Sequence, residues 1–199
     1  MTATTPARTR LSPDERREQL LELGVRMLAD HSLEELSIDL LAEAAGISRG
    51  LLYHYFGGKQ GFYEAVVQRA ADDLYAQTAP PSEGEPLERL QASMEAYVDY
   101  VAANRAGYAS LVRAAAGGND ALRAIYDTTF DALGTRFFEE DTQSLLIADT
   151  PANRALIRGW QAMTEELTLT WCDDPSVLSR DDLLRVIAGS LPAVLAILA

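Results

Sequence analysis

The apolar residues of this 199-residue chain recur at the three- and four-residue spacing of helices, and no two-residue alternation persists anywhere. In the first such stretch, one apolar stripe consists of Leu20, Leu21, Gly24, Val25 and Leu28. Clusters of β-branched residues, which favour strands, are few. The spacing therefore predicts an all-α fold.

Capping residues and helix breakers divide the predicted helices into two groups. Residues 1–12 form a tail rich in Thr, Ala, Arg and Pro, which we expect to be disordered. Ser12 and Pro13 then start a helix, with Ser at the cap and Pro at the first position. The Pro-rich residues 80–86 separate four shorter helices from five longer ones. The predicted helices cover about 13–30, 37–45, 49–55, 59–79, 87–104, 106–116, 120–140, 151–172 and 179–199.

The segment from Ser37 to Phe56 has the pattern of two short helices joined by a tight turn. Ser37 and Ser48 each stand where a hydroxyl caps the start of a helix. Between them, Gly46 lets the turn adopt a left-handed backbone conformation without steric cost. Leu52 and Phe56 are four residues apart and face the core. This pattern predicts a helix-turn-helix whose second helix enters the major groove of DNA.

The open face of that second helix carries side chains suited to DNA. Arg49, in the first turn, is placed to contact guanine O6 and N7. Tyrosine hydroxyls donate hydrogen bonds to phosphates, and Lys59 adds a charge at the start of the next helix. A generic helical hairpin would share the caps and the glycine, but packing does not explain this set of polar side chains on one face. The predicted DNA-binding residues are Ser37, Ser48, Arg49, Gly50, Leu51, Tyr53, Tyr55 and Lys59.

The net charge of −13 argues at first sight against DNA, because phosphate binding needs a cationic surface. Residues 1–60 hold 7 Lys or Arg and 9 Asp or Glu, a net of −2, whereas residues 61–199 hold 10 and 21, a net of −11. The acidity therefore belongs mainly to the second part of the chain. The first part can still present a locally basic face to DNA.

Residues from about Arg16 to Val67 resemble the DNA-binding domain of the TetR (tetracycline-repressor-like) family. Ser37, the run 45–48, the run 52–56 and Lys59 match the family signature in order and spacing. Leu51 departs from it, because the family often has Thr at this position. The resemblance implies that the predicted DNA-binding residues line the DNA, with Ser37 and Lys59 on phosphates. It also implies a homodimer that binds palindromic operator DNA, most often as a repressor, and leaves it when an effector binds.

The resemblance implies a domain order that the sequence pattern accommodates. We predict a helix-turn-helix domain over residues 13–60, a bridging helix that begins at Lys59, and a larger helical ligand-binding and dimerisation domain over residues 61–199. In the larger domain, aromatic residues with polar tips fall on inward-facing stripes and suit a mostly apolar small molecule, although each also suits plain hydrophobic core. The predicted ligand-binding residues are Tyr97, Tyr100, Tyr108, Leu111, Phe130, Phe137, Trp160 and Met163.

Dimerisation through the last two helices, 151–172 and 179–199, is a further implication of the resemblance. The C-terminal tail is apolar on more than one face, as a partner surface would be. The tail residues that carry this pattern are Leu191, Val194, Leu195, Ile197 and Leu198. Two-fold symmetry would place the two recognition helices roughly 34–36 Å apart, in successive major grooves.

Two other classes of protein were weighed. An enzyme is disfavoured because the chain has two His, one Cys, no spaced metal ligands and no Gly-rich phosphate loop, so no catalytic residue, metal or cofactor is predicted. The paired acids 139–140, 165–166 and 181–182 are expected on solvated helix faces. Cys172 is expected to be a small core residue without a basic neighbour, rather than a redox sensor. A helical protein-binding adaptor that keeps this fold without binding DNA remains the alternative.

The sequence also bears on the compartment. The first residues lack a secretory signal, and the apolar C-terminal run is too short to span a bilayer. A single cysteine fits a reducing environment. We therefore expect a cytoplasmic protein with no membrane partner.

Overall fold

The computed structural model describes residues 12–138 and 147–197, and every regular element in these ranges is a helix. The all-α prediction is confirmed. The α-helices are α1 Pro13–Met27, α2 Ile38–Ala45, α3 Arg49–Phe56, α4 Lys59–Gln77, α5 Pro86–Ala103, α6 Arg105–Ala116, α7 Asp120–Thr135, α8 Pro151–Asp173 and α9 Arg180–Leu195.

Two predicted boundaries, the end of α7 and the start of α1, lie next to residues outside the described ranges. Helix α7 ends at Thr135 and continues as a short 3-10 turn over Arg136–Phe138, earlier than the predicted end at residue 140, which lies outside the described residues. Gly134 and the β-branched Thr135 weaken the helix at this point. The predicted N-terminal tail falls outside the described residues except for Ser12, whose hydroxyl caps α1 in a reciprocal pair with Glu15.

Helices α1 to α4 enclose the first hydrophobic core, which we call the head. Leu20, Leu41, Leu52 and Phe62 are fully buried in it. Gly24 allows α1 to lie directly on α4, since a Cβ there would come within 2.6 Å of Val66 Cγ2. The head therefore holds the two short helices of the turn on a rigid support.

The second core, which we call the body, is built from α5, α8 and α9 with side chains from α4 and α6. Trp160 on α8 is buried and donates its indole N–H to the carbonyl oxygen of Ile187 on α9, at 2.8 Å. Helix α4 belongs to both cores: Val66 packs in the head and Leu74 in the body. It bridges the two parts. The domain division at residue 60 stays a prediction.

A seam between α6 and the end of α1 also joins head and body. The backbone N–H of Gly107 donates to the carbonyl oxygen of Leu28 at 2.9 Å. Ser110 accepts from the Leu33 N–H at 3.1 Å and donates to Glu34 at 2.7 Å, which lowers the pKa of that carboxyl. Any movement of α6 is therefore transmitted to the head through direct contacts.

Candidate DNA-binding face and ligand cavities

The turn between α2 and α3 has the caps expected from its sequence. The Ser37 hydroxyl accepts from the Leu40 N–H at 3.1 Å, and the Ser48 hydroxyl accepts from the Leu51 N–H at 3.2 Å. Gly46 ends α2 in the left-handed region with φ of 64°, where a side chain would be strained. Both serine hydroxyls are thus engaged at helix starts and hold α2 and α3 in their crossing.

Helix α3 has one buried and one open side. Leu52 and Phe56 are buried in the head, whereas Arg49, Gly50, Leu51 and Tyr53 are exposed. Two large side chains on this side, Leu51 and Tyr53, are 37% and 44% exposed, and they lie beside the exposed guanidinium of Arg49. The open side therefore has the composition of a contact surface.

Tyr55 differs from its expected position, because it is half-buried and packs against the head core. Its ring meets that of His54 edge-on, with 5.7 Å between centroids. Tyr55 is three residues beyond Leu52, so the helical repeat turns it partly towards the core. Its role in DNA binding stays a prediction.

Arg49 has an ionic partner that the sequence pattern did not indicate. Its guanidinium forms an ion pair with Asp39 on α2, and both side chains are more than half exposed. An exposed pair of this kind contributes only about 0–1 kcal/mol, so a phosphate or a base edge can replace it. Asp39 therefore reduces the positive charge of this face.

The start of α4 extends the open side of α3. No side chain caps α4 at Gly58, so the N–H groups of its first turn lack a side-chain acceptor there. Lys59 is exposed there, with its Nζ 5.2 Å above the Tyr63 ring. A Cβ on Gly61 would overlap the Phe56 carbonyl oxygen, so this glycine is required for α4 to follow α3 so closely. The sequence pattern did not indicate Gly61, because the packing of α4 against the end of α3 requires this glycine and no local motif does.

The described part of the body contains two apolar cavities. The larger, which we call the body cavity, has a volume of about 60 Å³ and lies between α5, α7 and α8. The smaller, the junction cavity, has a volume of about 40 Å³ and lies where α4, α6 and α7 meet the end of α1. Phe130 forms part of the wall of both. The Phe130 side chain therefore stands at the boundary of the two cavities.

The predicted ligand-binding residues divide between the two cavities. Tyr97, Phe130, Phe137 and Trp160 line the body cavity. Phe130 also lines the junction cavity, together with Tyr100, Tyr108 and Leu111. Met163 lines neither and packs instead against the body core. The aromatic stripes predicted inward-facing helix surfaces, but their spacing does not show which helices enclose a void.

Polar residues of the body cavity were missed. Thr164 is buried, lines the cavity, and its Oγ1 has no hydrogen-bond partner among the described residues. Gln161, one turn earlier on α8, donates to the Phe130 carbonyl oxygen at 2.9 Å. Arg136 donates to the Thr78 hydroxyl at 3.2 Å near the cavity edge. The cavity is therefore apolar with a few fixed polar groups, the usual composition of a small-molecule site.

Glu165 corrects the prediction that its acid pair is solvated. Glu166 is exposed, but Glu165 is buried and accepts from Tyr108 and Tyr126, each at 2.9 Å. Tyr97 and Tyr108 share a further hydroxyl hydrogen bond of 2.9 Å. Burial raises the pKa of Glu165, and the two tyrosine hydrogen bonds act in the opposite direction. The second acid of the pair alone fits the expected solvated face.

Cys172 also departs from its description. It is half-buried against the body core, and burial raises the pKa of its thiol, as expected of a small core residue. Arg105 lies near enough to act in the opposite direction, so the expected lack of a basic neighbour is wrong. Arg105 is itself paired with Asp173.

The last two helices present a mixed outer surface. Leu191, expected to face a partner, is fully buried in the body core instead. Ile197 is exposed, while Leu198 lies outside the described residues. Gly159 and Gly189 lie on exposed positions where a Cβ would meet nothing within 4 Å. A partner helix could approach closely there.

Metal ligands and membrane-spanning helices would each indicate a different function. Among the described residues, no group of three or more His, Cys, Asp or Glu side chains is arranged to hold a metal ion. No described helix is both long and apolar enough to cross a membrane.

A helix-turn-helix head, connected by one long helix to a helical body with apolar cavities, defines the class of one-component DNA-binding regulators. Family comparison agrees: residues 20–66 match bacterial regulatory proteins of the tetR family, and residues 86–188 match the tetracyclin repressor-like C-terminal domain. The chain belongs to the TetR family of transcriptional regulators.

Individual relatives are similar over different shares of their length. The HTH-type transcriptional activator FasR of Mycolicibacterium smegmatis is 35% identical over 101 residues, 50% of this chain and 46% of that protein. The HTH-type transcriptional repressor KstR2 of Mycobacterium tuberculosis is 38% identical over 87 residues, 41% of this chain and 44% of that protein. The chain thus spans about half the length of the curated relatives it matches. A crystal structure of a tetR-family regulator from Streptomyces coelicolor covers 95% of this chain and 85% of its own, with 32% identity and a TM-score of 0.81.

Proposed function

We propose that this protein is a ligand-responsive transcriptional repressor that binds palindromic operator DNA as a homodimer and is released by a small, mostly apolar effector. The observation that carries the proposal is the exposed set Arg49, Gly50, Leu51 and Tyr53 on α3, beside the uncapped start of α4. Repression is the direction we assign, because a dimer seated on an operator excludes other proteins from it. The named relatives include both an activator and a repressor.

Each residue of the face has a proposed role at the DNA. Arg49 exchanges Asp39 for a guanine edge. Gly50 lacks a Cβ and lets the helix approach the groove closely, and Leu51 packs on a thymine methyl. The residues that bind phosphates are Ser37, Tyr53, Tyr55 and Lys59. The N–H groups at the uncapped start of α4 add to the attraction of Lys59. Ser48 fixes the first turn of α3.

The outer surface of α8 and α9 is the proposed dimer interface. Gly159 and Gly189 leave room for a partner helix, and Val186 and Ile197 are exposed apolar side chains that a partner would cover. Two-fold symmetry then places both α3 helices on one side of the dimer, about 34–36 Å apart, as successive major grooves require.

The junction cavity supports a route from effector to DNA. Its wall includes Leu28 and Gly107 from the seam and Val67, Ala70 and Leu74 from α4. A ligand that enlarges this cavity separates α6 from α4 and carries the head with it, because the seam and the N-terminal half of α4 both pack in the head core. The spacing of the two α3 helices then no longer fits the operator.

Fluorescence anisotropy with duplex DNA from upstream of the protein's own gene tests the proposal. Arg49→Ala should weaken binding by at least about tenfold, the cost of one good base contact. Arg123→Ala removes the same charge from an exposed position on α7 and should change affinity less than about twofold. Equal effects of the two variants would contradict the assigned face, and no binding at any low salt would favour the adaptor.

A further inference from the structure

Glu165 is a buried carboxylate without a cationic partner in contact. Among the described residues, no ion pair includes it, and its two contacts are the hydroxyls of Tyr108 and Tyr126. The nearest cation that acts on it is Arg158, whose guanidinium is bound to Asp127 and Asp131. A carboxylate removed from water is costly unless it is protonated or paired, and a cationic group carried by a ligand would offset that cost.

The hydrogen bonds around Glu165 favour its ionised form. Tyr108 donates to Oε2 and Tyr126 donates to Oε1. Tyr97 then has its own proton free to donate to the Tyr108 oxygen, so every hydroxyl proton is used. Both carboxyl oxygens of Glu165 thus accept a hydrogen bond, which stabilises the carboxylate against the cost of its burial.

This charge stands between the two cavities. Tyr97 lines the body cavity, while Tyr108 and Tyr126 line the junction cavity. Thr164, the preceding residue on α8, lines the body cavity, and its buried hydroxyl oxygen has no hydrogen-bond partner among the described residues. Phe130, the wall common to both cavities, stacks on Tyr126 with 4.5 Å between ring centroids. A ligand in the body cavity meets aromatic faces, the buried Thr164 and the field of Glu165, which acts against the charge of Arg136 at the cavity edge.

We propose that the effector is an amphipathic organic cation: a protonated amine on an apolar body, held by the tyrosine rings and by the field of Glu165. Its ammonium N–H donates to the Thr164 hydroxyl oxygen, which accepts, and its charge compensates the buried carboxylate. The same field repels a carboxylate ligand and does not attract a neutral one. The net charge of −11 on residues 61–199 acts in the same direction.

The sizes of the cavities require an adjustment on binding. At about 60 and 40 Å³, each is smaller than the roughly 150 Å³ void that holds one benzene molecule. The apolar body of the ligand therefore displaces Phe130 and joins the two spaces. This inference rests on the proposed ligand response, because it names the effector of that same body.

Three probes of one shape test the charge preference: octylammonium, octan-1-ol and octanoate. Binding to the full-length protein, free of DNA, is measured at pH 7 by calorimetry and by quenching of tryptophan fluorescence, since Trp160 lines the body cavity. We expect octylammonium to bind at least about tenfold more tightly than octanol, and octanoate most weakly. This ranking needs no variant.

Two glutamine variants then locate the charge. Glu165→Gln should bring octylammonium and octanol to within about threefold of each other, with octanol affinity unchanged. Glu166→Gln removes an equal charge from the exposed neighbour and should preserve the wild-type ranking. The proposal is overturned if octanol or octanoate binds the wild type as well as octylammonium does, or if the two variants behave alike.

The outcome is separable from the proposed function. Octanol binding without a cation preference would keep the ligand-binding body and remove only the assigned ligand class. Loss of DNA binding, measured by anisotropy without any probe, would instead remove the regulator and leave the probe ranking intact.

Discussion

Substitution of Gly107 by Ala tests the seam between head and body. A Cβ at Gly107 would lie 2.5 Å from Leu28 Cβ and 3.0 Å from both Leu28 Cδ2 and the Leu28 carbonyl oxygen. Carbon atoms in contact prefer about 3.5–4.0 Å, so α6 and the end of α1 must separate by about 1 Å. Because Leu28 Cβ is fixed to the backbone, a change of rotamer cannot relieve the overlap.

The expected loss of stability follows from two destabilising contributions and one stabilising contribution. Overpacking of this kind costs about 1–3 kcal/mol. The Gly107 N–H bond to Leu28, now 2.9 Å, is stretched and loses part of its net contribution of about 0.5–1.5 kcal/mol. Alanine regains about 1 kcal/mol of helix propensity in α6. The free energy of unfolding should fall by about 1.5 kcal/mol, which for a chain of this size lowers Tm by about 3–6 °C.

Thermal unfolding followed by far-UV circular dichroism measures this effect, at one protein concentration because the Tm of a dimer depends on it. Gly50→Ala is the matched control, since its Cβ would meet only the Ser48 hydroxyl oxygen at 3.9 Å. Its Tm should equal or exceed that of the wild type. A Gly107→Ala protein as stable as the wild type would refute the close packing of α6 on the end of α1.

Three further predictions concern single side chains. Asp39→Asn should tighten binding to any duplex by about fivefold in an anisotropy titration, because it frees Arg49 and removes a negative charge near phosphates; unchanged or weaker binding would mean that the ion pair orients Arg49 instead. Gly189→Arg should convert the dimer to a monomer in light scattering at micromolar concentration, and a persistent dimer would exclude the exposed face of α9 from the interface. Because burial raises the pKa of Glu165 above its ordinary value of 4.5, the native state binds the proton more tightly, and stability is lost as pH rises from 4.5 towards neutrality. In urea unfolding, the wild type should therefore lose stability relative to Glu165→Gln over that range; a constant difference would show that the carboxyl titrates normally.

Local structure at the helix-turn-helix was predictable because its signals lie within a few residues of each other. Ser37 and Ser48 each cap the helical turn that follows them, and Gly46 adopts the left-handed backbone conformation that the turn between the helices requires. The ion pair between Asp39 and Arg49 was not predictable in the same way. It depends on how α2 and α3 cross, and residue spacing alone does not specify that crossing.

The sequence pattern predicts the helices of the body but not the positions of its cavities. Inward stripes identified aromatic residues, yet the division of those residues between two cavities depends on how α4, α6 and α7 pack. Glu165 shows the limit most clearly. Its tyrosine partners are 57 and 39 residues away in the chain, and an adjacent pair of acids gives no sign of which one is buried. One signal of burial was available. Glu165 lies four positions after Gln161, so these two polar side chains share one face of α8.

The salt dependence of DNA binding tests the central claim most directly. For wild-type protein and the DNA upstream of its gene, log K should fall linearly with log of the salt concentration, with a slope set by the number of phosphates neutralised. Lys59→Ala should weaken binding and make that slope less steep by about two, one phosphate contact for each protomer of the dimer. A slope that Lys59→Ala leaves unchanged would contradict the placement of α4 at the DNA backbone. Binding that does not depend on salt at all would contradict a DNA-binding head.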